Sequence, residues 1–426
     1  MLRNRDSGTL WLVAGPKVWP AAPEEMSVST LGEIEVCPRR WALTSGAYPE
    51  LWDRRGYPPR LSMGSLTGSV VHLALEILTK ALVRGGCSSA DDVGAVQVMR
   101  ELGGYSRLIN ECVQRVLSRF ADNPRVAPRL DVALRSLRSQ VPQMRAEAQS
   151  LVGRVKLRRA VTASGETVAR DHLRRPLVPG TYSEIELAAH SIRWHGTVDL
   201  LTVTESGCEI VDFKTGAKDD AHEFQVRVYA MLWSRDCELN PTTRPVERLT
   251  LCYPTGEVRV DPPTSTELDA LERELDDRRR AALRALGTLP PEARPSVGNC
   301  RYCAVRHLCE EYWQPATARS LAAEDSDRAP FMDLQVSIGA RHGPSSWDGV
   351  VEVAQHVPTG RQIVVRTPSP EVGFSSGDRI RLLNVHVSTV AEDTSHPAVG
   401  TLTAMSEAFL VSGTGRLGQE TGSREV

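Results

Sequence analysis

Two short apolar segments that each carry one aspartate constrain the fold of this 426-residue chain more than any other feature. They are separated by the turn-forming residues 204–207, and a four-residue loop there would place Asp199 opposite Asp212 on neighbouring strands. Because side chains alternate along a strand, Lys214 would lie on the same face as Asp212. The pattern therefore predicts a β-hairpin that brings two carboxylates and one ammonium group together. The two segments read HGTVDLLTV (195–203) and EIVDFKTG (209–216).

The charges of this hairpin need a partner. Two facing carboxylates repel each other unless a positive group lies between them. Their neighbours are apolar, as in a strand pair that is buried on both faces, where charge is costly. A divalent cation held by Asp199 and Asp212 would remove the repulsion. The alternative is an exposed hairpin in which Lys214 simply pairs with Asp212.

The hairpin carries a family resemblance. Gly196-x-x-Asp199 followed by Asp212-x-Lys214-Thr-Gly resembles the PD-(D/E)XK nuclease superfamily, in particular its RecB-like branch. Val198 stands where the proline of the family name would be. Two helical motifs of that branch also have counterparts in order along the chain: His72 in the segment GSLTGSVVHLALE (64–76), and Gln225-x-x-x-Tyr229, whose spacing puts both side chains on one helix face.

The resemblance implies a metal-dependent deoxyribonuclease. Asp199, Asp212 and His72, with the backbone carbonyl of Phe213, would hold Mg2+ or Mn2+, which activates water for attack on the phosphate. Lys214 would position that water or the scissile phosphate.

The remaining residues of this predicted site have supporting roles. Gln225 and Tyr229 would steady Lys214 or the nucleic acid backbone. One further carboxylate is expected from the strand before the hairpin, where Glu186 is ranked ahead of Glu184. Glu76 either orients His72 or faces solvent.

A second constellation consists of cysteines. Cys300, Cys303 and Cys309 give three thiols within ten residues, and Cys37 lies far upstream in the sequence VCPRR. Nine cysteines at irregular spacing argue against a secreted disulfide framework. Zinc and an iron–sulfur cluster each accept four cysteines, so the spacing leaves the metal open, and ordinary buried thiols are a third interpretation.

The cysteine arrangement resembles the iron–sulfur staple of RecB-like nucleases of the CRISPR-associated and AddB types. That resemblance implies one [4Fe-4S] cluster on Cys37, Cys300, Cys303 and Cys309. Such a cluster would join the segments that precede and follow the nuclease core.

The periodicity predicts an α/β fold, with a mixed sheet flanked by helices and a helical insert, followed by an all-β OB-like barrel of about five strands. The resemblance implies that the mixed sheet and its helices are a PD-(D/E)XK core. No apolar run reaches the ~18 residues of a membrane span, so we expect a cytoplasmic protein. The predicted parts are a lead-in at 1–26, a RecB-like nuclease domain at 27–313 with the insert at about 85–180, a linker at 314–330, the barrel at 331–412 and a disordered tail at 413–426.

Charge is unevenly distributed along the chain, although its net value is only −2. Residues 100–175 contain sixteen basic and seven acidic side chains, which is either a surface for an anionic polymer or a solvated helical surface. From residue 330 onward there are seven arginines against ten acidic residues. The barrel is therefore expected to dock a protein partner or to pack on the nuclease rather than to bind DNA.

The predicted activity is hydrolysis of DNA by an exonuclease that acts on single strands or ends, in DNA repair, CRISPR adaptation or phage defence. The chain contains no Gly-x4-Gly-Lys-Ser/Thr loop, so unwinding would come from a partner such as a helicase. The alternative is a weakly active or inactive DNA-binding iron–sulfur subunit of a helicase or integrase complex.

Overall fold

The computed structural model describes residues 10–52, 56–159, 174–324, 330–370, 372–388 and 396–411. The chain forms two compact units, each assembled from separate segments. Unit 1 consists of Met1–Ala21, Glu33–Pro58 and Ala285–Val426, and unit 2 consists of Ala22–Gly32 and Pro59–Arg284.

The elements alternate between helical and β regions along the chain. The described strands are β1 (Leu10–Val13), β2 (Gly180–Ala189), β3 (Trp194–Val203), β4 (Cys208–Phe213), β5 (Val246–Tyr253), β6 (Gly256–Val260), β7 (Phe331–Gly343), β8 (Ser346–Ala354), β9 (Gln362–Arg366), β10 (Arg379–Ser388), β11 (Ala398–Thr401) and β12 (Glu407–Val411). The described α-helices are α1 (Val28–Val36), α2 (Pro38–Ser45), α3 (Met63–Arg84), α4 (Val93–Glu101), α5 (Tyr105–Ser118), α6 (Leu130–Ser139), α7 (Val141–Val152), α8 (Asp220–Arg235), α9 (Ser265–Ala285), α10 (Val297–Cys300) and α11 (Pro315–Glu324).

Unit 2 contains a five-stranded mixed sheet in the order β2-β3-β4-β5-β6. Neighbouring strands are antiparallel except β4 and β5, which are parallel. The β3–β4 ladder runs from Val203↔Cys208 to Leu200↔Val211, which is the register that the four-residue loop predicts. Asp199 and Asp212 follow directly after the last pair of this ladder.

Helices cover this sheet. Apolar residues of α3, α5 and α7 form one core with Leu200, Phe213 and Cys252 of the strands. Leu66, Val70 and Leu78 of α3 recur at helical spacing and are buried in this core. Among the described residues, those of α3 form a helix long and apolar enough to cross a membrane. Because one face of α3 is buried in this core, its apolar composition is that of a core helix. The predicted insert contains α4 to α7, and its residues 160–173 lie outside the described part.

Unit 1 contains a closed barrel of five strands, in the order β7-β8-β9-β11-β10 with β10 pairing back to β7. The pair β9–β11 is parallel and the other pairs of the ring are antiparallel. β10 pairs with two strands along one edge: its end pairs with β11, and its residues Ile380–Leu383 pair with β12. β1 lies parallel to β12 on the other side of that strand. The barrel is consistent with an OB-like domain.

Two segments that the sequence predicts to lie outside the domains contain regular elements. The lead-in at 1–26 contains β1, and the expected linker at 314–330 contains α11. This helix forms because 315–324 is rich in alanine and starts with proline, and because Ala318 and Leu321 become buried. The predicted tail at 413–426 lies outside the described residues.

Candidate active site

The end of the β3–β4 ladder holds both aspartates. The Phe213 N–H donates a hydrogen bond of 2.6 Å to Asp199 Oδ2. Asp212 is only 3% exposed, and Lys214 Nζ lies 2.6 Å from its Oδ2. This oxygen nevertheless makes no well-aligned hydrogen bond within the described part of the chain. A buried carboxylate oxygen with unused lone pairs has the chemistry of a metal ligand.

His72 and Glu184 join Asp199. One ligand atom from each of the three lies within 4.8 Å of the others, and His72 Nδ1 is 3.4 Å from Asp199 Oδ1. On β2, Ser183 pairs with Leu200 and Ile185 with Val198, so Glu184 lies opposite Asp199. These three side chains form a candidate site for a divalent cation.

The structure corrects the ranking of the extra carboxylate. Glu184, not Glu186, lies with His72 and Asp199. The Glu186 side chain is 62% exposed, and its carboxylate lies 4.0 Å from Arg174. Glu184 has a positive φ of 54°, which breaks the regular alternation of β2 and separates the directions of the two glutamates.

The electrostatics of the group reflect its crowded carboxylates. Burial and the charge of Asp199 raise the pKa of Asp212 to about 6 and that of Glu184 to about 7. Burial lowers the pKa of His72, but the hydrogen bond to Asp199 and the Asp199 charge outweigh burial, so the pKa is raised. A divalent cation would favour the ionised carboxylates, and carboxylate oxygens with one imidazole suit Mg2+ or Mn2+.

A chain of hydrogen bonds fixes Lys214. Its Nζ donates to Gln225 Oε1 at 2.7 Å, and Gln225 Nε2 donates to Tyr229 Oη at 2.6 Å. Gln225 and Tyr229 lie one turn apart on α8, as their spacing predicts. The ammonium group is therefore held between Asp212 and an oriented amide.

A family model of the PD-(D/E)XK nuclease superfamily matches residues 25–310. The chain belongs to this superfamily. Members of this superfamily are typically metal-dependent nucleases, so membership indicates nuclease activity.

The comparison with individual proteins adds little to this assignment. No curated protein matches the sequence significantly. The chain is similar to a solved structure entitled "Crystal structure of SSO0001", with 17% identity and a TM-score of 0.19. That match covers 30% of this chain and spans 59% of the length of the solved chain.

The remaining predicted site of this PD-(D/E)XK protein lies in unit 1. Cys37, Cys300, Cys303 and Cys309 line one cavity, together with Arg39, Arg40, Arg294 and Arg306. The backbone N–H of Arg294 donates to Cys37 Sγ at 3.5 Å. Cys37 directly precedes α2, while the other three lie in and after α10.

The four sulfurs are thiols rather than disulfides. Burial raises the pKa of Cys303 to about 11 and raises the pKa of Cys300 and Cys309 as well. These thiols stay protonated at neutral pH unless a metal displaces the protons. Soft thiolate donors converging on one cavity fit zinc or an iron–sulfur cluster.

Two features of the nuclease site were missed by reasoning from the sequence. Glu184 had a usable signal, because a four-residue turn at 190–193 pairs it with Asp199 by the reasoning used for the hairpin. The second feature is a contact between His222 and Tyr253, whose Nδ1 and Oη lie 2.9 Å apart. No local pattern joins these two residues, because they come from α8 and β5.

Proposed function

We propose that the protein is a Mg2+- or Mn2+-dependent deoxyribonuclease of the RecB-like branch, which acts as an exonuclease on single-stranded DNA or DNA ends. It would work with a partner that unwinds duplex DNA, such as a helicase, in DNA repair, CRISPR adaptation or phage defence. One observation carries the proposal. The group of His72, Glu184 and Asp199 lies beside an Asp212–Lys214 pair whose ammonium group is already oriented.

The roles of the residues follow from their chemistry. His72, Glu184, Asp199 and Asp212, with the Phe213 carbonyl, would hold the cation. When bound, this cation supplies acidified water and offsets charge on the transition state. The Phe213 N–H keeps Asp199 in place through its hydrogen bond.

Lys214 performs the positioning step. Its ammonium group, oriented by Gln225, would hold the attacking water or a non-bridging oxygen of the scissile phosphate. Tyr229 is a positioning residue, since it acts on Lys214 through Gln225.

The test compares Asp212→Ala and Lys214→Ala with the wild type in cleavage of labelled DNA at fixed Mg2+ or Mn2+. We expect each variant to lose at least about a hundredfold in rate while it remains folded. Glu186→Gln is the matched control and should cleave normally, since its carboxylate lies apart from the site. Wild-type cleavage by Asp212→Ala would overturn the site assignment.

The form of the DNA tests the exonuclease part of the proposal. Linear single strands should be degraded to short products, while circular single strands of the same sequence should stay intact. Cleavage of the circles would instead assign an endonuclease.

We further propose that the four cysteines hold one [4Fe-4S] cluster, that the barrel is OB-like and that it docks a protein partner. The convergence of the four cysteines on one cavity supports a metal centre there, and their order along the chain, one early and three late, supports the cluster.

The cluster has a direct chemical test. Protein purified without oxygen should be brown, absorb broadly near ~400 nm and contain about four irons per chain. Cys303→Ser should reduce the iron content and lower the unfolding temperature. Cys208 is a buried cysteine of β4, and the control variant Cys208→Ser should keep its iron. Stoichiometric zinc without iron would replace the cluster with a structural zinc site.

A further inference from the structure

Three side chains outside the proposed metal site lie together beside Lys214. Tyr253 ends β5, Lys218 lies between β4 and α8, and His222 lies in the first turn of α8. Because β4 and β5 are parallel, their carboxyl ends meet at one edge of the sheet, where the Lys214 N–H donates to the Cys252 carbonyl at 2.8 Å. This arrangement extends the nuclease site along that edge.

Tyr253 organises the other two side chains. It is 3% exposed, and its Oη lies 2.9 Å from His222 Nδ1. The two ring centroids are 5.9 Å apart, and the exposed Lys218 places its Nζ 5.7 Å from the centre of the Tyr253 ring. The buried phenol therefore fixes the imidazole and supports the ammonium group.

The polar atoms left over are donors. Tyr253 engages His222 Nδ1, and within the described part of the chain Nε2 makes no hydrogen bond. We assign the neutral tautomer in which Nδ1 accepts the Tyr253 hydroxyl hydrogen, which leaves the ring hydrogen on Nε2. Lys218 forms no ion pair with any described acidic residue. The neighbouring Asp219 caps α8, where its Oδ1 accepts the Ala221 N–H at 2.9 Å.

We propose that Lys218 and His222, held by Tyr253, bind a non-bridging oxygen of the phosphate next to the scissile one in a nucleic acid strand. This inference deepens the proposed function and rests on it for the nature of the substrate. An ammonium group and an imidazole N–H, neither of which is paired with a carboxylate in the described part of the chain, favour an anion. Since Lys214 is assigned to the attacking water or the scissile phosphate, an anion at the same sheet edge is a neighbouring phosphate of the same strand.

Lys218 and His222 contact the substrate in this proposal, whereas Tyr253 is a positioning residue. Removing the Tyr253 hydroxyl should loosen the imidazole without removing its donor. Tyr253→Phe is therefore expected to weaken the phosphate contact by a smaller factor than loss of both donors.

The experiment uses single-stranded oligonucleotides in which one phosphate at a time is replaced by an uncharged methylphosphonate. Affinity is measured by fluorescence anisotropy in Ca2+ for the wild type and for the double variant Lys218→Gln/His222→Ala. The wild type should lose about tenfold in affinity at one position, next to the bond that it cuts. The double variant should bind the natural strand about tenfold more weakly and show no further loss at that position.

Two comparisons make the result specific. The control Lys17→Gln/His190→Ala removes the same two residue types elsewhere and should keep the wild-type profile. Tyr253→Phe keeps the ring, and its loss of affinity for the strand modified at the same position should be about threefold smaller than that of the wild type. It gives a second test if the double variant does not fold.

The outcomes separate this site from the proposed function. If the wild type and the double variant show the same profile, or the wild type shows no position-dependent loss, the phosphate site is refuted. Cleavage of the same strands in Mg2+ is assayed in parallel. If the binding profiles are as expected but the wild type does not cleave, the nuclease proposal alone is refuted. If the wild type cleaves but its binding profile is identical to that of the double variant, the phosphate site alone is refuted.

Discussion

Tyr229 lies against a residue that has no side chain. A Cβ atom at Gly196 would lie 2.9 Å from Tyr229 Cε1 and 3.2 Å from Leu232 Cδ1. The Tyr229 ring thus occupies space that glycine leaves open. Because Tyr229 holds Gln225, and Gln225 holds Lys214, the backbone at Gly196 influences where the ammonium group lies.

Gly196→Ala is therefore expected to destabilise the protein by about 1–3 kcal/mol through overpacking and to lower the cleavage rate constant kcat. Unfolding in denaturant and cleavage kinetics measure the two effects. Gly64→Ala is the matched control, because a Cβ there meets nothing within 4 Å and Gly64 lies in α3. This control should gain about 0.5–1 kcal/mol. Equal stability of both variants would contradict the packing argument.

At this scale, sequence reasoning succeeded where a rigid period applies. The two-residue period of a strand and a four-residue loop were enough to bring Asp199 next to Asp212 and Lys214. The same rule pairs Glu184 with Asp199 across β2 and β3, but it does not rank Glu184 ahead of Glu186, which a regular strand places on the same face. The left-handed backbone at Glu184 separates the two side chains. His222 and Tyr253 meet only through the packing of α8 on β5, which no short-range pattern contains.

The element that carries the late cysteines is fixed to barrel strands by buried charges. Arg306, in a short 3-10 helix, forms a buried ion pair with Asp333 of β7 and donates to the Cys303 carbonyl at 3.0 Å. Tyr312 Oη donates to the same carboxylate at 2.9 Å. Arg381 of β10 donates to the His307 carbonyl at 2.7 Å. The cysteine segment and the barrel wall thus share one polar network.

Asp333→Asn should cost about 3–5 kcal/mol at pH 7, because it leaves the Arg306 charge buried without its partner. Burial raises the pKa of Asp333, but the charge and hydrogen bonds of Arg306 outweigh burial and lower it. The ionised Asp333 carboxylate therefore makes its full contribution to the free energy of unfolding above its unfolded-state pKa of about 4. That contribution is lost as the pH falls through the lower pKa of the folded state. The stability difference between wild type and variant should narrow below about pH 4 in denaturant titrations. A difference that does not change with pH would contradict this account.

The elements of unit 1 were harder to predict than those of unit 2. Alternating apolar residues indicate about five barrel strands, because each strand buries one face. The sequence predicts a linker where α11 lies, since its composition of alanine, serine and proline is also typical of loops. Its burial depends on Trp11 and Phe409, which lie in the same apolar cluster but are distant in sequence.

At the scale of the whole molecule, the barrel is built into unit 1 rather than attached to it by a linker. Trp11 of β1, Trp313, Leu321 of α11 and Phe409 of β12 belong to one buried cluster. Cys300 and Cys309 pack against the same cluster. The cysteine site and the barrel therefore depend on a common core.

A chain that ends after Glu324 should accordingly lose iron as well as the barrel, because Trp313 and Tyr312 become exposed next to the cysteines. Iron content per chain and the unfolding temperature measure the effect. A chain that ends after Val411 serves as the control and should keep its iron. Full iron in the shorter chain would show that the cysteine site is independent of the barrel.

The segments of the two units alternate along the chain, which changes from one unit to the other four times. Neither unit corresponds to one uninterrupted stretch of the gene. A recombination event that transfers a single stretch of DNA would consequently move neither unit intact. Rearranged relatives are expected to inherit the interval from β1 to β12 as a block and to acquire new parts at its two ends.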